Sequence, residues 1–179
     1  LVPIIDAGVK IEEGYSVYEE GVKNNYFCKE ADGTDFVGAV WPGRAHFPDV
    51  LNPEVRRWFG RKYKYLLDMG IEGFWNDMNE PALFYSEKRL KKVFEELEKF
   101  KGQNLDLEKN NEFLGLVNTL ANNPEDYRSF YHEPGNGREK VRHDKVHNLY
   151  GYNMTRAAEE AFEELEPDKR ILLFSRSSY

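Results

Sequence analysis

Apolar positions in this chain cluster with two periods, and polar residues close each cluster sharply. Leu1-Val2-Pro3-Ile4-Ile5 reads as a strand that stops at Asp6, with Ala7-Gly8 turning away. Tyr15 to Val22 can form a short helix. Residues 36–40 are extended and run into the rigid aromatic turn Trp41-Pro42-Gly43. Asn52-Pro53 opens the clearest helix, with Asn at the cap and Pro at the first helical position. Val55, Trp58, Phe59, Tyr63, Leu66 and Leu67 recur at three- and four-residue steps, which predicts one helix running to Gly70. Residues 71–77 form the next strand, ended by Asp77, and Pro81 forbids its continuation.

Beyond Pro81 the spacing predicts a helix over 86–101, with Leu90, Phe94 and Leu97 as its apolar face. Residues 104–111 are polar, 113–120 suit a short helix, and Asn122-Asn123-Pro124 breaks it. Glu133-Pro134-Gly135-Asn136-Gly137 is a turn cluster, expected to be a flexible tip. Residues 146–165 make a second long helix, followed by a short buried strand over 171–174. That strand delivers Ser175-Arg176-Ser177-Ser178. Three strands thus end in polar residues, and helices separate them. The pattern predicts an α/β fold of βα repeats with its chemistry on one rim.

The chain has 179 residues, enough for one core and a single compact unit. Hydrophobic content of 40% with 15% aromatic residues argues for a folded chain. A net charge of −7 disfavours nucleic acid, because phosphate contacts need clustered Lys and Arg. The basic run Lys88-Arg89-Leu90-Lys91-Lys92 is followed by Glu95, Glu96 and Glu98, and reads as a solvated helix face. No apolar run approaches the length of a membrane span, and the first residues are too short for a signal peptide. The single Cys28, flanked by Tyr26 and Phe27, excludes an internal disulfide and suggests a buried thiol. A free thiol favours a reducing, cytoplasmic compartment.

The segment most charged with chemistry is Gly73-Phe74-Trp75-Asn76-Asp77-Met78-Asn79-Glu80-Pro81-Ala82. It places a carboxylate at the carboxyl end of a strand beside an indole, where α/β enzymes keep their reacting groups. A helix cap is the plainer role for an Asp before a turn. Trp75 before it, and Asn79 and Glu80 after it, favour a site instead.

Trp-Asn-Asp-Met-Asn-Glu-Pro resembles the active-site segment of glycoside hydrolase family 31, the α-glucosidase and α-xylosidase family. Trp41-Pro42-Gly43, Phe47-Pro48-Asp49 and Ser175-Arg176-Ser177 resemble three further family segments. The resemblance implies a partial (β/α)8 barrel, about strands three to five, with residues 82–145 as an insertion after strand four. An eightfold barrel needs about 250 residues, so residues 1–179 read as part of a single catalytic barrel domain within a larger enzyme.

The same resemblance assigns roles. Asp77 is the expected nucleophile and Glu80 a supporting residue. Arg176 is expected to contact sugar hydroxyls, although a surface salt bridge is the plainer alternative. Asp6, in a strand of the form I-x-D, is the expected glycone-binding carboxylate. It could also merely cap its turn. Ile4 shares the face of Asp6, Trp41 and Trp75 offer apolar walls for a pyranose, and Met78 completes the substrate-binding set. Asp49 is taken as structural. The expected activity is that of a retaining, exo-acting α-glycoside hydrolase, an α-glucosidase in particular. Its partners would be an α-linked oligosaccharide or glucoside and the remainder of its own barrel. No cofactor or metal is expected. Retention needs two carboxyl groups about 5–5.5 Å apart. The family's acid/base Asp lies in a G-D-N context beyond Ser-Arg-Ser, past Tyr179. The isolated excerpt should therefore not turn over.

Two other readings stay open. One is a non-catalytic carbohydrate-binding half-barrel. The other is a zinc hydrolase using His143 and His147, four apart on one helix face like H-E-x-x-H, but with Asp144 between them and no third ligand. A polar helix start packed behind the site is the plainer account of those two. His46 and His132 carry no usable signal.

Overall fold

The computed structural model describes residues 1–177. Its centre is a three-stranded parallel sheet of β1 (Ile4–Asp6), β6 (Gly73–Asp77) and β10 (Leu172–Ser175), with β6 in the middle. β6 is the most buried of the three strands, as befits the one paired on both edges. Asn76 and Phe74 are fully buried there.

Helices α2 (Pro53–Arg61) and α3 (Lys64–Leu67) lead into β6, and α7 (His147–Leu165) leads into β10. The α2 start is as the sequence reads: Asn52 Oδ1 accepts from the Glu54 N–H at 3.0 Å, with Pro53 at the first helical position. The single helix expected to Gly70 is instead two. The chain tightens at Lys62 and Tyr63, yet the apolar stripe carries on across the break. Phe59, Tyr63, Phe74 and Phe162 meet there, with ring centroids 5.2–6.2 Å apart. α2 and α7 approach closely at Gly60, where a Cβ would stand 2.1 Å from the Ala157 carbonyl oxygen. Arg56, buried between them, reaches Glu160 (3.3 Å) and Asn153 (3.4 Å).

The rest of the chain rises from the carboxyl ends of β1 and β6 and interleaves. One antiparallel sheet has the order β2 (Val9–Lys10), β5 (Gly43–His46), β4 (Gly38–Val40), β7 (Tyr85–Ser86). Another has the order β3 (Lys29–Glu30), β8 (Phe130–His132), β9 (Val141–Arg142). Each joins residues before α2 to residues after β6. Helix α1 (Ser16–Lys23) lies in the first excursion. Helices α4 (Glu87–Leu97), α5 (Leu107–Asn118) and α6 (Pro124–Tyr127) lie in the second.

Several expectations change here. The apolar face of α4 turns on Val93, which is buried with the nearby Phe100, whereas Phe94 is 61% exposed. Helix α5 begins within the stretch read as polar, because Asp106 caps it by accepting from the Lys109 N–H. The last strand is not buried. Leu172 and Phe174 are 56% and 44% exposed, and Ile4, in the same row as Phe174, is 54% exposed. Parity explains this. Rows Val2–Gly73–Leu172 and Ile4–Trp75–Phe174 line the face turned away from α2 and α7, the interior side of a barrel wall. The cluster 133–137 links β8 to β9, with Gly135, Asn136 and Gly137 all at positive φ. Cys28 is buried, just ahead of β3. Among the described residues, no helix is long and apolar enough to cross a membrane.

Candidate active site

Strand register builds the site. Asp6 pairs with Asp77 across β1 and β6, and the Arg176 N–H continues the ladder onto the Asn76 carbonyl at 2.9 Å. Asp6, Asp77 and Arg176 therefore form one row at the carboxyl rim, directly above Ile4, Trp75 and Phe174. Trp75 stacks on Phe174 with centroids 5.6 Å apart.

After Asp77 the chain turns at once. Met78 sits at φ 48° with its side chain in the core, and the Glu80–Pro81 peptide is cis. Glu80 then meets Arg176 in a two-pronged pair: Nε donates to Oε1 at 3.0 Å and Nη2 to Oε2 at 2.8 Å. Arg176 Nε also lies 3.1 Å from Asp77 Oδ1. That oxygen is buried and receives no hydrogen bond, because the Nε proton is aimed at Glu80. Asp77 Oδ1 thus has a cation beside it and no hydrogen bond on its lone pairs.

The electrostatics set Glu80 apart from Asp6. Burial would raise the Glu80 pKa, but the hydrogen bonds and charge of Arg176 outweigh it and hold Glu80 below its ordinary value. Asp6 moves the other way. Burial raises it first, the neighbouring Asp77 charge adds to that, and Arg176 only partly opposes. Asp6 Oδ1 is another buried oxygen with no hydrogen bond. Arg176 is raised above its ordinary value, chiefly by the bond to Glu80.

Asn79, to which the sequence reading gave no role of its own, ties the rim together. It is fully buried; its Nδ2 donates to Ser175 Oγ (2.7 Å) and its Oδ1 accepts from the Ser177 N–H (3.2 Å). Its Nδ2 also points to the Gly151 carbonyl on α7 at 3.5 Å. The β10 end that carries Arg176 is thereby fixed to the β6 end that carries Asp77. Beneath it, Asn76 accepts from the Tyr63 hydroxyl at 2.5 Å.

The remaining expected positions are more scattered. Trp41 is at the tip of the β4–β5 hairpin, 74% exposed and edge-on to Phe84 at 4.8 Å. Met78 is only 5% exposed and belongs to the hydrophobic core. Ser178, part of the Ser-Arg-Ser-Ser run, lies outside the described residues.

The histidines form a chain that the sequence did not suggest. His132 Nδ1 lies 2.7 Å from Asp49 Oδ1, His132 Nε2 lies 2.9 Å from His143 Nδ1, and His143 Nε2 lies 2.8 Å from His147 Nδ1. His143 occupies a 3-10 turn and His147 the first position of α7, so they do not share one helix face. Their nitrogens face each other rather than a common point, which does not suit a zinc pair. Cys28, Asp49 and His132 are spaced for a metal ion and all buried. Burial, however, pushes the Cys28 thiol well up and away from the thiolate a metal needs.

The family model described as the glycosyl hydrolases family 31 TIM-barrel domain matches residues 1–179. The chain belongs to glycoside hydrolase family 31. Alpha-glucosidase 2 of Bacillus thermoamyloliquefaciens is 33% identical over 179 residues, all of this chain and 18% of that protein. The alpha-glucosidase of Saccharolobus solfataricus is 28% identical over 180 residues, again all of this chain and 23% of that protein. The chain thus spans under a quarter of these relatives. Among solved structures, a Flavobacterium johnsoniae GH31 dextranase complexed with glucose matches with a TM-score of 0.68 at 22% identity. That match covers 99% of this chain and 17% of that one, and concerns the fold alone. An ER glucosidase II heterodimeric complex matches with a TM-score of 0.64 at 27% identity, over 99% of this chain and 16% of that one. The three parallel strands are thus part of a family 31 barrel, open here rather than closed.

Proposed function

We propose that this chain is the nucleophile-bearing part of a retaining, exo-acting α-glycoside hydrolase of the α-glucosidase type. The observation that carries the proposal is Asp77 Oδ1, buried, 3.1 Å from Arg176 Nε and free of any hydrogen bond. A nucleophilic carboxylate must be ionised yet have a lone pair to give. Arg176 supplies the charge and Glu80 takes its hydrogens.

In the first step Asp77 attacks the anomeric carbon as the glycosidic C–O bond breaks. A general acid protonates the departing oxygen. In the second, water gives its proton to the same group, now a base, and displaces Asp77, so two inversions retain configuration. Asp6 binds glycone hydroxyls as an acceptor. It is a poor general acid despite its raised pKa. Adjacent parallel strands are about 4.8 Å apart, so Asp6 and Asp77 approach a sugar from the same wall. Glu80 is poor too, with both oxygens committed to Arg176. As the family resemblance implies, the acid/base would come from a segment outside these 179 residues, and the isolated chain is expected not to turn over. Trp75, Ile4 and Trp41 would face the sugar's C–H surfaces. Residues 82–145 would be an insertion on the single catalytic barrel.

Incubating the full-length enzyme with a 5-fluoro-α-glucosyl fluoride and mapping the labelled peptide tests this. The label is expected on Asp77. A label on another residue overturns the assignment.

A further inference from the structure

Asn79 holds the residue on each side of Arg176. Its Oδ1 accepts from the Ser177 N–H at 3.2 Å, which fixes the amide's orientation and leaves Nδ2 to donate to Ser175 Oγ at 2.7 Å. The Ser175 hydroxyl, an acceptor in that bond, gives its own proton to the Ser177 carbonyl at 2.9 Å. A closed ring of hydrogen bonds thus brackets Arg176, whose own N–H is held by the Asn76 carbonyl at 2.9 Å. The residue after Asn79 is Glu80, which takes the Arg176 guanidinium. Consecutive residues at the end of β6 therefore grip one arginine, Asn79 through its backbone neighbours and Glu80 through its side chain. Asn79 is fully buried, so its amide depends on these partners. Helix α7 closes the arrangement from behind. A Cβ on Gly151 would stand 2.8 Å from the Asn79 carbonyl oxygen, 3.1 Å from Asn79 Nδ2 and 3.1 Å from the Ser177 carbonyl oxygen. α7 can pack this close to the ends of β6 and β10 only because it presents a bare Cα there.

We propose that Asn79, Ser175 and Gly151 form a clasp that sets the position of Arg176 beside Asp77, and with it the rate at which Asp77 attacks. All three are positioning residues, and the proposal rests on reading Asp77 as the nucleophile. Past the last ladder bond, from the Arg176 N–H to Asn76, the Asn79 amide carries the connection between β10 and the turn after Asp77. The fork to Glu80 alone would hold Arg176 loosely, because its side chain is 42% exposed and water competes for it. With the clasp open, Arg176 Nε is free to drift from its place 3.1 Å from Asp77 Oδ1.

Ser175→Ala in the full-length enzyme opens the clasp by removing one hydroxyl. The probe is the 5-fluoro-α-glucosyl fluoride, whose anomeric fluoride Asp77 displaces as its oxygen bonds to C1. The readout is the labelling rate constant at saturating probe, counted per site that finally labels, so unfolded protein does not enter. S175A should label Asp77 roughly tenfold to a hundredfold more slowly, the scale for a reacting group displaced by about 1 Å. Gly151→Ala presses on the same clasp from α7, so the two losses should combine to less than their product. If G151A does not fold, S175A decides alone. Crystals of S175A should show Arg176 Nε farther from Asp77 Oδ1 than the native 3.1 Å. A merely structural role would lower the melting temperature and leave the rate per site unchanged. Labelling of S175A at the native rate overturns the proposal, and so does an unchanged separation in its crystals. Losses that multiply in full would remove Gly151 from the clasp. A native enzyme labelled on another residue overturns the nucleophile reading instead, and the S175A separation then decides whether the clasp sets Arg176.

Discussion

Arg176 Nε lies 3.1 Å from Asp77 Oδ1 while its proton goes to Glu80, so the pair is joined by charge and not by a hydrogen bond. A carboxylate bound by several N–H groups would be stable but a weak donor of electrons. One that is only flanked by a cation keeps its lone pairs available for attack.

Asp77→Asn in the full-length enzyme should keep the shape and remove the nucleophile. Turnover is expected to fall roughly 10⁴-fold or more, on the scale seen when a nucleophile is deleted. The melting temperature should change little, since Asp77 Oδ1 makes no hydrogen bond that Asn would lose. Steady-state kinetics beside thermal melting check this; near-native turnover would remove Asp77 from the mechanism.

Arg176→Lys separates charge from geometry. Lysine is a point charge that cannot reproduce the paired 3.0 and 2.8 Å bonds to Glu80. A fall in kcat/KM of about tenfold is expected from losing the fork. The pH profile should move as well. Glu80 sits below its ordinary value because the Arg176 bonds outweigh burial, so weakening them lets Glu80 protonate at higher pH. Activity should therefore be lost earlier as pH falls, with the acid limb displaced upward. An unmoved acid limb would mean that Glu80 ionisation does not matter.

Much of this was legible in the sequence where local chemistry and tertiary role coincide. The short strand ending at Asp77 was legible, and so was α2, because Asn52-Pro53 caps it whatever surrounds it. The exposure of Phe174 and Ile4 was not legible, since it depends on which face of the sheet is covered. Phe94 misled for a related reason: helical spacing names a stripe but not its partner. Asn79 and His132 could not be found from spacing at all. Their partners, Ser175 and Asp49, lie 96 and 83 positions away.

Gly60 and Gly115 predict opposite effects of the same substitution. A Cβ at Gly60 would stand 2.1 Å from the Ala157 carbonyl oxygen and 3.0 Å from Ala161 Cβ. Backbone cannot yield there as a flexible side chain would, so Gly60→Ala should push α2 from α7. A cost of about 1–3 kcal/mol is expected from such overpacking. Gly115 lies within α5 with nothing within 4 Å of its Cβ position. Gly115→Ala should stabilise that helix by about 0.5–1 kcal/mol. Urea midpoints of the two variants should move in opposite directions. Equal shifts would contradict the close helix contact.

The buried histidines make the protein sensitive to mild acid. Burial, with His132 and His147 beside it, lowers His143 from 6.5 to about 2. In the unfolded chain His143 takes up a proton as pH falls through 6.5, while in the folded chain it does not. The unfolded state then binds more protons, so stability declines steadily below pH 6.5 and recovers as pH rises through it. His147 adds in the same direction, because burial lowers it also, against the opposing charge of Glu80. Hydrogen exchange by mass spectrometry should follow peptides spanning β8 to the start of α7, corrected for intrinsic exchange rates. Their opening free energy should fall from pH 7 to roughly pH 4, and fall less steeply in His143→Asn. A free energy that stays level across that range in the native enzyme would show that His143 is protonated equally in both states.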